Sequence, residues 1–600
     1  MGWGGDVRGW VWGWYTGGVK NRLLAVLVLG FVAISLATPW ARGQEGDRRQ
    51  EGTAWQWRWD PATGRDLTNY PPSVEFDHQQ MVLEINIADM GVAKFDGVLT
   101  LTSAAVGPAR GTMTLNARES LTIGEVMVDG VKAAFEHKDE LLTITLPKPA
   151  QPGVGVVTRI VYSAANTSRD GAGLVWLTGQ QGRADRSPQI FSQGQPNWNS
   201  FWFPCHDFPN DQLASSLIVT APAGFTVISN GALEAKEEVP GKGVRWTWVQ
   251  RKGHASYLVM LAVGKFDEVD VGGPDSKRPG LWMPVYGPVG KGEELAKVFK
   301  NTPEMVLFYE GLFDEPYPWE KYAQVIVRGF NWGGMENTSA TVLAEYAASG
   351  KEGDHDDLIA HELVHQWMGN LISCKSWEHL WLNEGWATFG EWLWIEHKEG
   401  VGAYRKAVND ARRKLTVSAR EVLPAGVPVV SKLYGEPDDT FTKAEDPYVR
   451  GGVVLHMLRQ RLGAEVFWKG VRRYIDRFQG QSAETDDFRK VMEEVSGQSL
   501  ERFFDQWLRR PGMPTVKVSR RFADEQITLT VRQVQEMDGQ NPAWAFTLPI
   551  WLKFEDGSEK WVYVESDSRI AEVAIPSKQD VSKMRADPNA EVLAEIQTEP

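Results

Sequence analysis

The chain has 600 residues, of which 42% are hydrophobic and 24% are charged, and its formal net charge at pH 7 is −14. These proportions are those of a folded globular protein and exclude a disordered one. The acidic balance argues against a nucleic-acid partner, because a nucleic-acid binder is expected to carry a basic patch. A chain of this length is too long for one ordinary core, and its patterning predicts three folded domains behind an N-terminal targeting segment.

The N-terminal region predicts an export signal. Lys20 and Arg22 precede an uncharged apolar run over residues 23–37. That run suits the core of a signal peptide and is short for a membrane span, which needs roughly 17–25 residues. Residues 1–42 are interpreted as a signal peptide or an uncleaved signal anchor, and residues 43–74 as a linker and N-terminal extension. We expect a periplasmic or extracellular protein with no membrane partner beyond an anchor through residues 23–37.

Residues 75–265 are expected to form an all-β domain. Polar and apolar residues alternate between turn signals in five stretches, at 95–104, 125–135, 140–147, 216–231 and 255–266. Alternation at period two is typical of strands that bury one face.

The two cysteines of the chain are Cys205 and Cys374. An exported protein could join them in a disulfide, but a single bridge is not a disulfide framework for a chain of this length. We expect two buried free thiols.

The pattern changes in residues 266–512, which are expected to form a mixed domain. A strand is predicted at 322–330, and helices are predicted at 294–313, 356–370, 383–398, 448–462, 486–497 and 500–514. Beyond it, alternating stretches at 515–522, 526–534, 546–554 and 560–566 predict a small β-sandwich over residues 513–600. The expected fold class is therefore multidomain α+β.

The segment HELVHQWMGN, residues 361–370, carries two histidines four positions apart with a glutamate beside the first. Residues i and i+4 lie on the same helical face, so His361 and His365 can direct imidazole nitrogens at one point. A catalytic zinc site takes three protein ligands and leaves a fourth position for water. Two histidines are one ligand short, and Glu362 is placed to take a proton from that water. The alternative is a structural helix that carries three polar residues by chance.

A third ligand is predicted on the next helix. Eighteen residues separate His365 from Glu384, which is enough to end one helix, turn, and run a second helix back alongside it. His361, His365 and Glu384 are therefore the predicted metal ligands. Glu391 lies seven residues after Glu384 on the same helical face, where it could orient a ligand histidine or simply be a solvated acid.

At this point the sequence resembles a known family, the gluzincin aminopeptidases, which include aminopeptidase N, aminopeptidase B and leukotriene hydrolase. The resemblance rests on HELVHQWMGNLISCKSWEHLWLNEGWATF, on NWGGMENTSA at 331–340, on YVRGGVVLHML at 448–458 and on FSQGQPNWNSFWFPCHDFPN at 191–210. It covers about residues 75–600 and implies a thermolysin-like catalytic domain between the two β domains.

The resemblance also implies roles for these residues. One zinc ion per chain would be held by His361, His365 and Glu384, with Glu362 as the general base. Tyr448 would donate a hydrogen bond to the oxyanion of the tetrahedral intermediate. Read without the family, Tyr448 is only an aromatic residue at the start of a helix.

The family's substrate-binding positions match a second set of residues. Glu336 would pair with the free α-ammonium of a peptide, and Gln195 would accept a hydrogen bond from it without adding charge. Gly333, Gly334 and Met335 would leave backbone open for an extended peptide to add as a strand. The implied activity is hydrolysis of N-terminal residues from peptides that carry a free N-terminal amine.

Some features depart from the family pattern. The sequence YVRGG replaces the common Tyr-Glu-Lys-Gly-Ala, and Ser200 stands where relatives often carry arginine. The helical C-terminal domain of many members is not expected, which would leave a more open cleft, so side-chain preference is not carried over.

Two other functions remain open, an epoxide hydrolase of the leukotriene hydrolase type and an inactive peptide-binding scaffold.

Overall fold

The computed structural model describes residues 58–60, 62–179, 186–421, 427–442, 445–539 and 541–599. The predicted export signal lies outside the described residues. Within the described ranges, none of the helices combines the length and the apolar character that a membrane crossing requires.

The first region is built from strands that alternate buried and exposed residues. In chain order these are β1 (Phe76–Asn86), β2 (Lys94–Ala105), β3 (Arg110–Asn116), β4 (Leu121–Val128), β5 (Val131–Lys132), β6 (Ala134–Lys138), β7 (Leu141–Ala150), β8 (Gly155–Ala165), β9 (Ser168–Arg169), β10 (Ala172–Leu177), β11 (Gln189–Gln193), β12 (Gln212–Ala221), β13 (Thr226–Ser229), β14 (Ala232–Val239), β15 (Gly243–Ala255) and β16 (Leu261–Gly264).

These strands form three sheets. One has eight strands in the order β14-β15-β12-β1-β2-β8-β4-β5, one has five in the order β13-β16-β11-β10-β9, and one has three in the order β3-β7-β6. β1 runs parallel to β12 and antiparallel to β2. The inward side chains of the sheets share one apolar core. The prediction of an N-terminal all-β domain is confirmed.

One predicted strand is only partly formed. Residues 256–258 make a turn of 3-10 helix, and the strand over 255–266 is limited to β16. The carbonyl groups of this turn are used by buried side chains instead of a strand ladder. Asn199 donates to the carbonyls of Ser256 and Val259, and Asn230 donates to that of Leu258. A backbone satisfied in this way has no need of a strand partner.

The second region mixes helices with short strands. Its elements are β17 (Asp267–Asp270), β18 (Pro284–Gly287), α1 (Gly292–Val298), α2 (Thr302–Phe313), β19 (Ala323–Val327), β20 (Gly334–Met335), β21 (Ala340–Ala344), α3 (Asp356–Val364), β22 (Ile372–Cys374), α4 (Trp381–Glu399), α5 (Val401–Glu421), α6 (Asp439–Thr442), α7 (Val449–Leu462), α8 (Ala464–Phe478), β23 (Gln481–Ala483), α9 (Thr485–Ser496) and α10 (Glu501–Leu508). A five-stranded sheet in the order β17-β18-β19-β21-β20 has β20 at its edge.

The helices differ from the predicted ones in their bounds and in their number. The single helix predicted over 294–313 is divided into α1 and α2, with Pro303 in the first turn of α2, where a missing N–H costs little. The helix predicted over 356–370 ends at Val364, and the chain then turns through Gly369 at φ 128°. α5, α6 and α8 were not predicted, although the buried residues of α8 recur at helical spacing.

Glycines bring α4 close to two other helices. A Cβ added to Gly390 would lie 2.4 Å from Cγ2 of Val364 on α3. A Cβ on Gly385 would lie 2.8 Å from Cα of Gly451 on α7. Real Cβ atoms do not approach other atoms so closely, so these crossings require residues without side chains.

The third region consists of β24 (Thr515–Ala523), β25 (Gln526–Gln533), β26 (Phe546–Phe554), β27 (Glu559–Ser566), β28 (Ile570–Pro576), β29 (Val581–Ala586) and β30 (Glu595–Thr598). They form one sheet in the order β28-β25-β24-β30 and another in the order β27-β26-β29, as expected for a C-terminal sandwich. Trp507 of α10 stacks on Trp544 with ring centroids 4.8 Å apart. Helices and sandwich share a core, so the boundary at residue 512 stays a prediction.

Candidate functional site

α3 and α4 bring the predicted metal ligands together. The ring centroids of His361 and His365 lie 4.9 Å apart. Nε2 of His361 is 3.3 Å from Oε2 of Glu384, and Nε2 of His365 is 3.2 Å from the same oxygen. The side chains are 12%, 1% and 3% exposed, respectively. Two imidazole nitrogens and one carboxylate oxygen therefore converge at a nearly buried point.

The other ring nitrogen of each histidine is fixed by a hydrogen bond. Nδ1 of His361 donates to Oε1 of Glu391 at 2.7 Å, and Nδ1 of His365 donates to the carbonyl of Met368 at 3.1 Å. In the neutral imidazoles, these bonds place the proton on Nδ1 and leave Nε2 as the atom that can bind a metal. Glu391 thus lies where it can orient a ligand histidine, rather than in solvent.

This donor set fits a catalytic zinc ion. The ligand atoms of His361, His365 and Glu384 all lie within 4.8 Å of one another, which permits simultaneous contact with one ion. Two nitrogens and one carboxylate oxygen are ligands that zinc accepts, and three protein ligands leave a position open for water.

Glu362 lies beside this cluster with 4% of its surface exposed. Its Oε2 has no hydrogen-bond partner among the described residues, and its Oε1 would be 2.2 Å from a Cβ added to Gly334. Burial raises the pKa of Glu362 to about 8, although the imidazoles of His361 and His365 lower it. A carboxyl group in this range can both accept and release a proton near neutral pH.

The two predicted amine-binding residues contact each other. Nε2 of Gln195 donates to Oε1 of Glu336 at 3.0 Å, although 141 positions separate them in the chain. Glu336 is 3% exposed, and burial raises its pKa. The pair joins a loop of the β domain to a loop of the mixed domain.

The backbone of Glu336 is held by two amides that the sequence analysis did not identify. Its carbonyl accepts hydrogen bonds from Nε2 of Gln366 at 3.1 Å and from Nδ2 of Asn370 at 2.7 Å. Both residues are fully buried and belong to the HELVHQWMGN segment. The feature of the sequence that could have identified them is that both are polar residues close to the two histidines.

Gly333, Gly334 and Met335 lie at the edge of the sheet. Gly334 and Met335 form β20, which pairs only with β21 within the described sheet. The carbonyl of Gly333 accepts the N–H of Ala344 at 3.0 Å. Among the described strands, the outer edge of β20 has no partner.

Tyr448 lies at the N-terminus of α7. Its ring stacks on that of His361, with centroids 6.0 Å apart and an interplanar angle of 19°. Oδ1 of Asp446 accepts the N–H groups of Tyr448 and Val449, which fixes the start of the helix. Burial and the nearby carboxylate of Glu384 raise the pKa of Tyr448 well above its ordinary value, so the phenol keeps its proton.

The expected free thiols, Cys205 and Cys374, are both buried.

Two family profiles match this chain. The one described as the peptidase M1 N-terminal domain matches residues 75–258, and the one described as the peptidase family M1 domain matches residues 298–507. The second match contains all residues of the metal cluster.

Curated relatives include aminopeptidases from different kingdoms. Glutamyl aminopeptidase of Rattus norvegicus is 29% identical over 53% of this chain and 34% of its own length. Probable aminopeptidase 1 of Saccharolobus solfataricus is 28% identical over 68% of this chain and 52% of its own length. Leucine aminopeptidase 2 of Aspergillus fumigatus is 29% identical over 66% of this chain and 64% of its own length. The chain spans less than two thirds of each of these relatives.

A solved structure shows the same fold. An M1 zinc metallopeptidase from Deinococcus radiodurans, in complex with a Tyr-Ser-Ala substrate, superposes with a TM-score of 0.63 at 22% sequence identity. The likeness covers 73% of this chain and 95% of that chain. It confirms the predicted multidomain fold class.

The geometry of the cluster predicts how metal content responds to substitution. Wild-type protein should retain about one zinc ion per chain, and Glu384→Ala should lose it because one of three ligands is removed. Glu391→Gln should weaken zinc binding by about 10- to 100-fold, since it alters only the bond to Nδ1 of His361. Zinc content after dialysis against a chelator measures both.

Glu396→Gln provides the control, because Glu396 is on the same helix but bonds to Arg459. It should bind zinc like the wild type. Equal zinc retention by the Glu384→Ala and Glu396→Gln variants would contradict the ligand assignment.

Proposed function

The chain belongs to the peptidase M1 family of zinc metallopeptidases, and we propose that it is an aminopeptidase that releases N-terminal residues from peptides. The observation that carries this proposal is the contact between Glu336 and Gln195 beside the metal cluster. Among the described residues, the side chain of Glu336 has Gln195, a neutral amide, as its hydrogen-bond partner. A buried carboxylate of this kind suits a cation, and the α-ammonium of a peptide is the cation that a peptidase substrate offers.

The amine site would define where the peptide is cut. With its ammonium held by Glu336 and its first carbonyl at the metal cluster, a peptide has room for one residue before the scissile bond. Gln195 would turn its amide oxygen toward the ammonium and accept a hydrogen bond without adding charge. Binding energy at this end would orient the first peptide bond for attack.

A zinc ion on His361, His365 and Glu384 would polarise the scissile carbonyl and acidify the attacking water. Glu362 would accept the proton of that water through its unpartnered Oε2 and deliver it to the leaving nitrogen. Tyr448 would donate its phenolic hydrogen bond to the oxygen that gains charge. The raised pKa of Tyr448 supports this role, because a donor must keep its proton throughout the reaction.

Glu362→Gln separates the base from the ligands. Since Glu362 is not one of the three residues whose ligand atoms converge, the variant should keep its zinc while turnover falls by at least about 10²-fold. The measurement is kcat for an aminoacyl chromogenic amide, alongside zinc content. Loss of zinc from this variant, or an unchanged kcat, would show that the roles of the carboxylates are assigned wrongly.

Glu336→Ala and Gln195→Ala test the amine site. A hydrogen bond to a charged group contributes about 1.5–3 kcal/mol, so Glu336→Ala should lower kcat/KM by about 10- to 150-fold for free-amine substrates. Gln195→Ala should cost less, because it removes a neutral partner. The wild type should cleave N-acetylated peptides poorly, and this preference should shrink in the Glu336 variant. Equal cleavage of free and acetylated peptides by the wild type would indicate an endopeptidase.

A further inference from the structure

A fully buried lysine, Lys321, contacts Ser339, which follows Glu336 of the amine site by three residues. Nζ of Lys321 donates to the carbonyls of Ser229 and Gly231, each at 2.7 Å, and lies 3.5 Å from Oγ of Ser339. It also lies 4.7 Å from the ring centroid of Trp248. Among the described residues, no carboxylate forms an ion pair with it. An ammonium group in such a position connects the β domain to the mixed domain through backbone carbonyls.

Lys321 contacts the segment that carries Glu336 through Ser339. Oγ of Ser339 accepts the N–H of Gly231 at 2.7 Å, and the N–H of Ser339 donates to Oε1 of Gln366 at 2.8 Å. Ser339 has φ 62°, a left-handed conformation that non-glycine residues rarely adopt without local support. The support here comes from the hydrogen bonds on both sides of the residue.

Asn230 ties the same segment to the β domain. Its Nδ2 donates to the carbonyl of Thr338 at 2.7 Å and to that of Leu258 at 3.0 Å. Its Oδ1 accepts the N–H of Met260 at 2.8 Å. The residues after Glu336 are therefore attached to the 256–260 turn of the β domain.

The loop that carries Gln195 is attached to the same turn. Nδ2 of Asn199 donates to the carbonyls of Ser256 and Val259, at 2.7 and 3.1 Å. The N–H of Trp198 donates to the carbonyl of Gly194 at 2.8 Å, which closes the loop around Gln195. Both halves of the amine site thus share one anchor, and the separation between them depends on it.

Lys321 is an unfavourable choice if stability is its only purpose. Burial lowers its pKa to about 7, which shows that the interior disfavours its charge. An apolar side chain of similar length would avoid this cost. An apolar side chain could not donate hydrogen bonds to two carbonyls of the β domain, as Lys321 does while it contacts Ser339.

We propose that Lys321, together with Ser339 and Asn230, is a positioning unit that sets Glu336 at the correct distance from Gln195 and so maintains recognition of the free amine. This inference rests on the proposed aminopeptidase function. None of its three residues belongs to the metal cluster or to the Glu336–Gln195 pair, and the unit acts through the placement of Glu336.

Lys321→Met tests the unit, with Gln533→Met as a matched control. Gln533 is a fully buried polar residue of the C-terminal sandwich that donates to the carbonyl of Trp544, so both variants replace a buried donor with a thioether. The measurements are kcat and KM for free and N-acetylated substrates, zinc content and melting temperature. Ser339→Ala, which removes a single hydroxyl, provides the same readouts if Lys321→Met does not fold.

Lys321→Met should raise KM for free-amine substrates and reduce the preference for free over acetylated peptides by about 10- to 100-fold, the range produced by a small misplacement of a binding group. Ser339→Ala should change the preference in the same direction. Gln533→Met should lower the melting temperature but keep the wild-type preference, and zinc content should stay constant in all variants. If the unit variants keep the wild-type preference, the positioning role is overturned. A wild type with no preference would instead overturn the aminopeptidase function.

Discussion

The packing of α4 against α3 and α7 determines the geometry of the site. Gly390 allows α4 to approach Val364 of α3, and Gly385 allows it to meet Gly451 of α7 backbone to backbone. Because Glu384 precedes one of these contacts by a single residue, its carboxylate is carried to the imidazoles of α3. The same crossing fixes the start of α7, so that Tyr448 stacks on His361. Two helix crossings at glycines thus bring the predicted metal ligands together and place Tyr448 beside them.

The second determinant is electrostatic. Three carboxylates, Glu336, Glu362 and Glu384, are almost fully buried within one small region, and Glu391 lies next to it. Burial of like charges is unfavourable unless cations compensate it. Burial raises the pKa values of Glu336 and Glu362, which shows that the interior disfavours their charged forms. Under the proposed function, a divalent metal ion would compensate one part of the cluster and a substrate ammonium the other.

Much of the site could be predicted from sequence because its spacing follows helical geometry. His361 and His365 share a face at i and i+4, and the distance to Glu384 suits an antiparallel neighbour. Glu391 could be placed for the same reason. The family resemblance supplied Glu336, Gln195 and Tyr448, which local patterns alone would not have identified.

The remaining features depend on tertiary structure. Gln366 and Asn370 are visible as polar residues in the histidine motif, but the backbone carbonyls that they and Lys321 contact carry no sequence signature. The 255–266 stretch was predicted as a strand, yet Asn199 and Asn230 donate to the carbonyls of its residues 256–259. α3 ends earlier than its periodicity suggests because the chain turns through Gly369. These differences arise where side chains from distant segments replace the local hydrogen bonds of the backbone.

The most direct test of the account is a crystal structure of the Glu362→Gln variant with zinc and an uncleaved tripeptide. We expect the α-ammonium to lie within hydrogen-bonding distance of Glu336 and of the side-chain oxygen of Gln195. The first carbonyl should face the metal and the Tyr448 hydroxyl, with the rest of the peptide along the edge of β20. A peptide that runs past Glu336, occupies both sides of the metal and leaves its amine in solvent would contradict the proposed aminopeptidase function.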